Sequence, residues 1–254
     1  MLNTIIHTKK KELEQFAYPE QIGKTFKYSL KDALLSPHRD IGVIAEVKKA
    51  SPSKGMFKEH IDPAYIAKRY EASGADAVSV LTDRVFFKGD REYVKTIKQA
   101  VKIPVLRKDF IIDERQIKES ALIGADAILL IAAALSPKRL FALYNQAKEM
   151  GLECLVEVHN RDELERLLDV FQPDILGINN RNLETFKTTI DITMNLIPYM
   201  PEGCVIVSES GYREKSDIDR IRGNKVNGIL VGEALMTART PEEGFMTLFG
   251  GKSL

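Results

Sequence analysis

The sequence predicts an α/β protein, a (β/α)8 (TIM) barrel with an N-terminal helical extension. Eight short, continuously apolar runs recur along the chain, each too short for an amphipathic helix and rich in β-branched residues, as expected of strands covered on both faces. The segments between them are long enough to carry helices, which favours parallel pairing through βαβ crossovers. No Gly-x-Gly-x-x-Gly follows the first run, which weakens a dinucleotide-binding open sheet.

The runs are IGVIAEV from Ile41, DAVSVLT from Asp76, IPVLRK from Ile103, DAILLIA from Asp126, ECLVEV from Glu153, DILGIN from Asp174, CVIVSE from Cys204 and NGILVG from Asn227. Between them, DPAYIAKRYEASG predicts a helix with Asp62 as N-cap, Pro63 at the first helical position and a stop at Gly74. SPKRLFALYNQAKEMG repeats the arrangement from Ser136 to Gly151, and NRDELERLLDVF offers a third helix with Leu164, Leu167 and Leu168 on one face. SGADAVSVL at Ser73 and IGADAILLI at Ile123 are near duplicates in which glycine closes a helix and a strand follows, the mark of a βα repeat. Before Ile41, HTKKKELEQF and YSLKDALLS read as one or two extra helices packed across one barrel mouth. Residues 1–254 are therefore expected to form one barrel domain, with residues 1–40 as its extension, and no room for a second catalytic domain.

A hydrophobic share of 44% suits a full core, and Lys+Arg against Asp+Glu stand at 37 to 36. A net charge of +1 gives no reason to expect nucleic acid or an anionic membrane as partner. No run is long enough for a membrane span and the N-terminus lacks a signal-peptide pattern, so a cytoplasmic protein is expected. Cys154 and Cys204 lie in strand-like runs and are expected as buried reduced thiols, a disulfide being the alternative. No metal is expected: His7, His38, His60 and His159 are scattered, and His159, just past the fifth run, reads as a solvated loop residue.

Chemistry is expected where the strands end. The first run ends with Glu46 and Lys48, the third with Lys108, the fifth with Glu157, the sixth with Asn179 and Arg181, the seventh with Glu209, Ser210 and Gly211, and the eighth with Gly232 and Glu233. In this fold, carboxyl ends converge on the face that carries the substrate site. Singly, each has a structural reading: a snorkelling lysine, a structural ion pair, ordinary turn residues. As a set, they place Lys108 opposite Glu157 as acid and base, and Glu46 beside Lys48. The glycines after the seventh and eighth runs point to a phosphate site in those loops. Loop KASPSKGMF reads as a mobile lid, and Phe86, Phe87 and Phe110 either pack in the core or line a pocket for a flat ligand.

Taken in order, IAEVKKASPSKG, VLTD with FF and GD, VLRKDFIID, GADAILLI, LVEVH, GINNRNL, VSESG and VGEALM closely resemble the indole-3-glycerol phosphate synthase family, from about Ile41 to the end. The resemblance implies a lyase that closes the indole ring on 1-(2-carboxyphenylamino)-1-deoxyribulose 5-phosphate, with no cofactor. By matching motifs it implies Lys108 as general acid, Glu157 as its acid–base partner, and Glu46 with Lys48 as the first-strand pair. Ser51, Phe110, Asn179, Arg181, Glu209 and Ser210 would hold substrate. Lys48, Ser51, Gly211, Gly232 and Glu233 would meet the phosphate, Glu233 through its backbone N–H alone, because its carboxylate would repel the ligand. The expected partner is a phosphorylated small molecule, with a monomer favoured and an oligomer left open. The competing readings are another phosphate-binding barrel such as phosphoribosylanthranilate isomerase, whose first strand is expected to carry a cysteine base where this chain has AEVKK, a Schiff-base aldolase using Lys108, and a catalytically silent binding barrel.

Overall fold

In the computed structural model, which describes residues 1–23, 26–182 and 187–250, each predicted run is a strand. In chain order they are β1 (Gly42–Val47), β2 (Ala77–Leu81), β3 (Val105–Lys108), β4 (Ala127–Ile131), β5 (Glu153–Val158), β6 (Ile175–Asn179), β7 (Val205–Glu209) and β8 (Gly228–Val231). Each pairs in parallel with the next, and β8 closes on β1 through Gly42–Gly228 and Ile44–Leu230, giving a closed barrel. Helices fill the crossovers. Pro63–Ala72 starts at the Asp62 cap, Pro137–Glu149 at Ser136, and Arg161–Leu168 at Asn160, each cap side chain accepting a backbone N–H of the first turn.

Strand parity divides the core in two. Val43, Ala45 and Val47 of β1, Val105 of β3, and Val156 and Val158 of β5 face the helices, while Ile44, Leu106, Leu129, Leu155, Val207 and Leu230 fill the barrel interior. Successive side chains of a strand point to opposite faces, so one run supplies both layers.

The duplicated GADA segments have a structural cause. Asp76 accepts from Val43 N–H at 2.8 Å, and Asp126 accepts from Val105 N–H at 2.9 Å, so each carboxylate ties its own strand's start to the start of the preceding one. Lys98 sits on Asp126 at 2.5 Å, buried.

The extension departs from expectation. Its two helices, α1 (Leu2–Glu14) and α2 (Leu30–Leu35), occupy opposite mouths rather than one. Leu30 and Leu34 of α2 plug the amino-end mouth against Ile44 and Ala77, and Leu34 approaches so closely that a Cβ at Gly42 or Gly228 would lie 2.7 Å from it. Glu153 caps α2, accepting from Ser29 Oγ at 2.8 Å, Leu30 N–H and Lys31 N–H at 3.1 Å. At the carboxyl end, α1 lays Met1, Leu2 and Ile5 over the cavity. Among the described residues no helix is long and apolar enough to cross a membrane.

Candidate active site

Near the carboxyl ends, the inward-facing positions change from apolar to ionisable. Ile44 is followed on the same face by Glu46, Leu106 by Lys108, Leu155 by Glu157, Gly177 by Asn179, and Val207 by Glu209. Lys48 Nζ lies 2.6 Å from Glu46, and Lys108 Nζ lies 3.5 Å from Glu209 and 3.9 Å from Glu157. Asn179 Nδ2 donates to Glu157 at 3.1 Å. The same parity separates three consecutive charges at the end of β3. Lys108 points into the barrel, while Arg107 turns out to Glu119 at 2.6 Å and Asp109 meets Lys9 of α1 at 3.0 Å.

Burial opposes every charge in this cluster, and the neighbours decide the outcome. Burial alone would lower the proton affinity of Lys108, but Glu209, Glu157 and Glu46 outweigh it and hold the ammonium well above its ordinary range. Burial would raise Glu46, yet Lys48 and Lys108 keep it below the usual carboxylate range. Glu209 goes the other way: burial and the nearby Glu157 push it up despite Lys108. Neither Glu209 oxygen accepts a hydrogen bond, and the residue is fully buried.

The rim carries the remaining predicted residues. Ser51 lies in a short hairpin, Ala50–Ser51 against Gly55–Met56, over the β1 side of the cavity. Arg181 reaches Ser53 Oγ at 3.2 Å and Glu233 at 3.3 Å, and Lys54 also sits 3.3 Å from Glu233. The Glu233 carboxylate is thus held by two cations of the rim. Ser210 and Gly211 both adopt positive φ, 70° and 98°, which turns the chain sharply after β7, and Asn180 Nδ2 holds the Ser210 carbonyl at 3.0 Å. Gly232 is needed for space, since a Cβ there would lie 2.5 Å from Glu46 Oε1. Phe110 packs on Phe87, ring centroids 6.1 Å apart, and both line the cavity. The cavity, about 1250 Å³ including its open mouth, also takes in Lys48, Ser51, Gly211 and Gly232. Among the described residues no group of three or more His, Cys, Asp or Glu could hold a metal ion. Cys154 is buried and Cys204 half-buried, both as free thiols.

One expectation about the site is overturned, and several of its residues escape a reading from sequence. His159 is not solvated: its ring is buried, 3.3 Å from Glu157 and 3.1 Å from Glu163. Its signal is its place two residues after Glu157, hence on the same face of an extended chain. Gly177 gives Glu209 its space, a Cβ there falling 2.2 Å from Oε1. Leu81, Leu129, Ile131 and Leu230 form an apolar floor that parity could have identified. Lys9, bridging Asp83 at 2.9 Å and Asp109 at 3.0 Å, carries no local signal, because its partners are far away in the sequence.

Fold and cavity together define a (β/α)8 barrel enzyme with its ionisable groups clustered at the carboxyl ends of the strands. The chain belongs to the indole-3-glycerol phosphate synthase family, whose model matches residues 2–248. The indole-3-glycerol phosphate synthase of Halalkalibacterium halodurans is 52% identical over 252 residues, covering 99% of this chain and 98% of the relative. That of a Geobacillus species is 53% identical over 249 residues, covering 98% and 96%. Among solved structures, KGPDC from Streptococcus mutans superposes with a TM-score of 0.60 at 14% identity, over 82% of this chain and 94% of that one, a likeness of fold.

Proposed function

We infer that the protein closes the indole ring of tryptophan biosynthesis, converting 1-(2-carboxyphenylamino)-1-deoxyribulose 5-phosphate to indole-3-glycerol phosphate, carbon dioxide and water, with Lys108 as its general acid. The observation that carries the reading is a buried ammonium flanked by Glu157 and Glu209 in the mouth of a barrel of this family.

The chemistry follows from what each group can hold. The ring carbon bearing the carboxylate attacks the ketone carbon, a carbon–carbon bond forms, and the carbonyl electron pair moves onto oxygen. Lys108 gives that oxygen its proton; an ammonium kept charged over a wide pH range is available whenever the alkoxide develops. The attack leaves an iminium beside the carboxylated carbon. Loss of carbon dioxide returns the bonding pair to the ring and discharges the iminium. Water then leaves from the former ketone carbon while a neighbouring proton is removed. Glu157 is the base for that proton, and Lys48, paired with Glu46, is the nearest second donor.

Binding divides along the cavity. The aromatic ring of the substrate fits the apolar side made by Phe110, Leu81 and Ile131, and Lys48 and Arg181, which line the same cavity while paired with Glu46 and Glu233, are the cations nearest its carboxylate. The phosphate fits the turns at Ser210–Gly211 and Gly232–Glu233 with Ser51; the Ser210 N–H goes to the Leu230 carbonyl at 3.1 Å, so the backbone N–H groups of Gly211, Gly232 and Glu233 are the donors. Asn179 and Glu209 hold the centre. The Glu233 carboxylate, occupied by Lys54 and Arg181, orders the rim. All these groups belong to one barrel, in keeping with residues 1–254 as one domain, and free thiols fit the cytoplasm.

Incubating the protein with the carboxyphenylamino-deoxyribulose phosphate should produce indole fluorescence with release of carbon dioxide. Absence of product from folded protein would overturn the reading. Phosphoribosylanthranilate turnover or borohydride trapping at Lys108 would replace it with one of its rivals.

A further inference from the structure

His159 follows β5 directly, and the next residue, Asn160, caps helix Arg161–Leu168. Glu163, in the first turn of that helix, folds back over the junction. One of its oxygens accepts from Asn160 Nδ2 at 2.8 Å, and the other accepts from the His159 backbone N–H at 2.9 Å and lies 3.1 Å from His159 Nδ1. On the far side of the ring, His159 Nε2 lies 3.3 Å from Oε1 of Glu157. The ring is 8% exposed, so little water reaches either nitrogen.

Both imidazole nitrogens therefore face carboxylate oxygens. A neutral ring has one N–H and one lone pair, and the lone pair would be turned on a carboxylate in a poorly solvated place. Only the doubly protonated ring turns a positive N–H edge to both carboxylates, hydrogen-bonded at Glu163 and in charge contact, without an aligned hydrogen bond, at Glu157. Glu157 in turn divides its oxygens: Oε1 is on the His159 side, and Oε2 receives Asn179 Nδ2 at 3.1 Å and faces Lys108 Nζ at 3.9 Å.

We propose that His159 is a positioning residue for the ring-closing reaction, an imidazolium clamped between Glu163 and Glu157 that fixes the Glu157 carboxylate with its second oxygen turned into the mouth. The inference rests on the activity proposed above and adds to it a residue acting through Glu157 rather than on substrate. The groups facing Glu157 are His159 from its own strand end, Lys108 from β3, neutral Asn179 from β6 and Glu209 from β7. Those facing His159 are Glu157 and Glu163. Of these, only Glu209 opposes ionisation of Glu157. Burial would lower the proton affinity of His159, but the two carboxylates outweigh it and raise it to about 10. Burial would raise Glu157, and the imidazolium with Lys108 reverses that. A base so held is already ionised at neutral pH and needs no reorientation when the proton is presented.

Two measurements test the clamp. In the wild-type protein with ¹⁵N-labelled histidine, the resonance lost in His159→Asn should report both ring nitrogens protonated up to about pH 9, and Glu157→Gln should move that titration down towards 6.5, the ordinary histidine value. A neutral His159 ring at pH 7.5 in the wild type overturns the proposal, whatever the variants do. In kinetics, His159→Asn should lower kcat on the order of 10–100-fold, the usual cost of losing such a supporting partner, with a smaller change in KM. The acid limb of its kcat profile should move up in pH, and Glu163→Gln should give a smaller shift in the same direction. A uniform loss with an unmoved profile would also overturn it. Wild-type protein that shows the imidazolium but makes no indole product sinks the proposed activity instead, and with it the catalytic part of this assignment.

Discussion

A methyl group placed on Gly177 would sit 2.2 Å from Oε1 of Glu209 and 3.2 Å from Cδ1 of Leu155. An unbonded carbon and oxygen settle more than 3 Å apart, so Gly177→Ala has to push the carboxylate roughly 1 Å away. Leu155 and Glu209 are both fully buried, which leaves the mouth as the free direction. The far end of a glutamate can move cheaply, so the cost to folding is at the low end for overpacking, about 1 kcal/mol. Gly177 has no positive φ, and an alanine there recovers about 0.4–1 kcal/mol by restricting the unfolded chain. The two nearly cancel, and Tm should stay within about 3 °C of wild type. Function should not be spared. Glu209 stands 3.5 Å from Lys108, and displacing a catalytic neighbourhood by about 1 Å costs on the order of 100-fold in rate. Indole fluorescence gives kcat, and scanning calorimetry gives Tm. A Gly177→Ala protein with kcat within about twofold of wild type would refute the assignment of Glu209 to the working site.

Other expectations follow from the same geometry. Lys108→Met should reduce kcat by about 10²–10⁴, the range for a general acid, with substrate still bound by the rim in an equilibrium titration; near-normal turnover would remove Lys108 as the acid. Lys9→Met strands Asp83 and Asp109 and should cost about 3 kcal/mol in urea unfolding, partly recovered in a double variant with Asp83→Asn. The pH dependence of that network has a definite sign. Despite burial, Lys9 and Arg107 hold Asp109 well below 3.8, so its contribution is complete above about pH 4 and lost as pH falls further. Burial would lower Lys9, but Asp109 and Asp83 raise it above 10.5, so its contribution is present below that pH and lost on going above it. Unfolding midpoints across pH should show both losses, and Lys9→Met should flatten the alkaline one. Glu153→Ala releases three donors at the start of α2 and should cost about 2 kcal/mol without moving kcat, because that mouth is remote from the cluster.

Much of the architecture is legible in the sequence because it follows from local periodicity. Strand runs such as IGVIAEV and caps such as Asp62–Pro63 need only their neighbours to be read. The end-of-strand charges are legible too, since parallel strands in a closed barrel bring such positions to one face. What escapes is information that the chain does not hold locally. HTKKKELEQF and YSLKDALLS look alike as amphipathic fragments. Their placement at opposite mouths is decided by Lys9 finding Asp83 and Asp109, and by the backbone N–H groups of Leu30 and Lys31 finding Glu153. His159 defeats the same kind of reading, because one histidine past a strand resembles any loop residue until Glu163 folds back on it. Part of the GINNRNL motif, Leu183, lies outside the described residues.

The charges around the inner cluster explain why its carboxyl groups cannot be equivalent. Glu46, Glu157, Glu163 and Glu209 face Lys48, Lys108 and His159 as their cations. Within this inner set the carboxyls outnumber the cations by one, and Arg181 at the rim supplies a further cation that also lowers the proton affinity of Glu46. In so poorly solvated a space the least supported carboxyl is the first to be protonated. Glu46 has Lys48 at 2.6 Å, Glu157 has Asn179 and His159, and Glu163 has backbone and side-chain donors. Glu209 alone among them accepts no hydrogen bond, and its proton affinity is raised. Glu209 is therefore the carboxyl of the set that takes up a proton first, pushed up by burial and by Glu157 while Lys108, 3.5 Å away, pulls the other way. Glu157 by contrast stays low and can act as a base, so Glu209→Gln, a neutral isostere, should leave Tm close to wild type, whereas Glu157→Gln should lower kcat. A Glu209→Gln protein with a Tm more than about 5 °C below wild type would mean that the buried carboxyl was ionised after all.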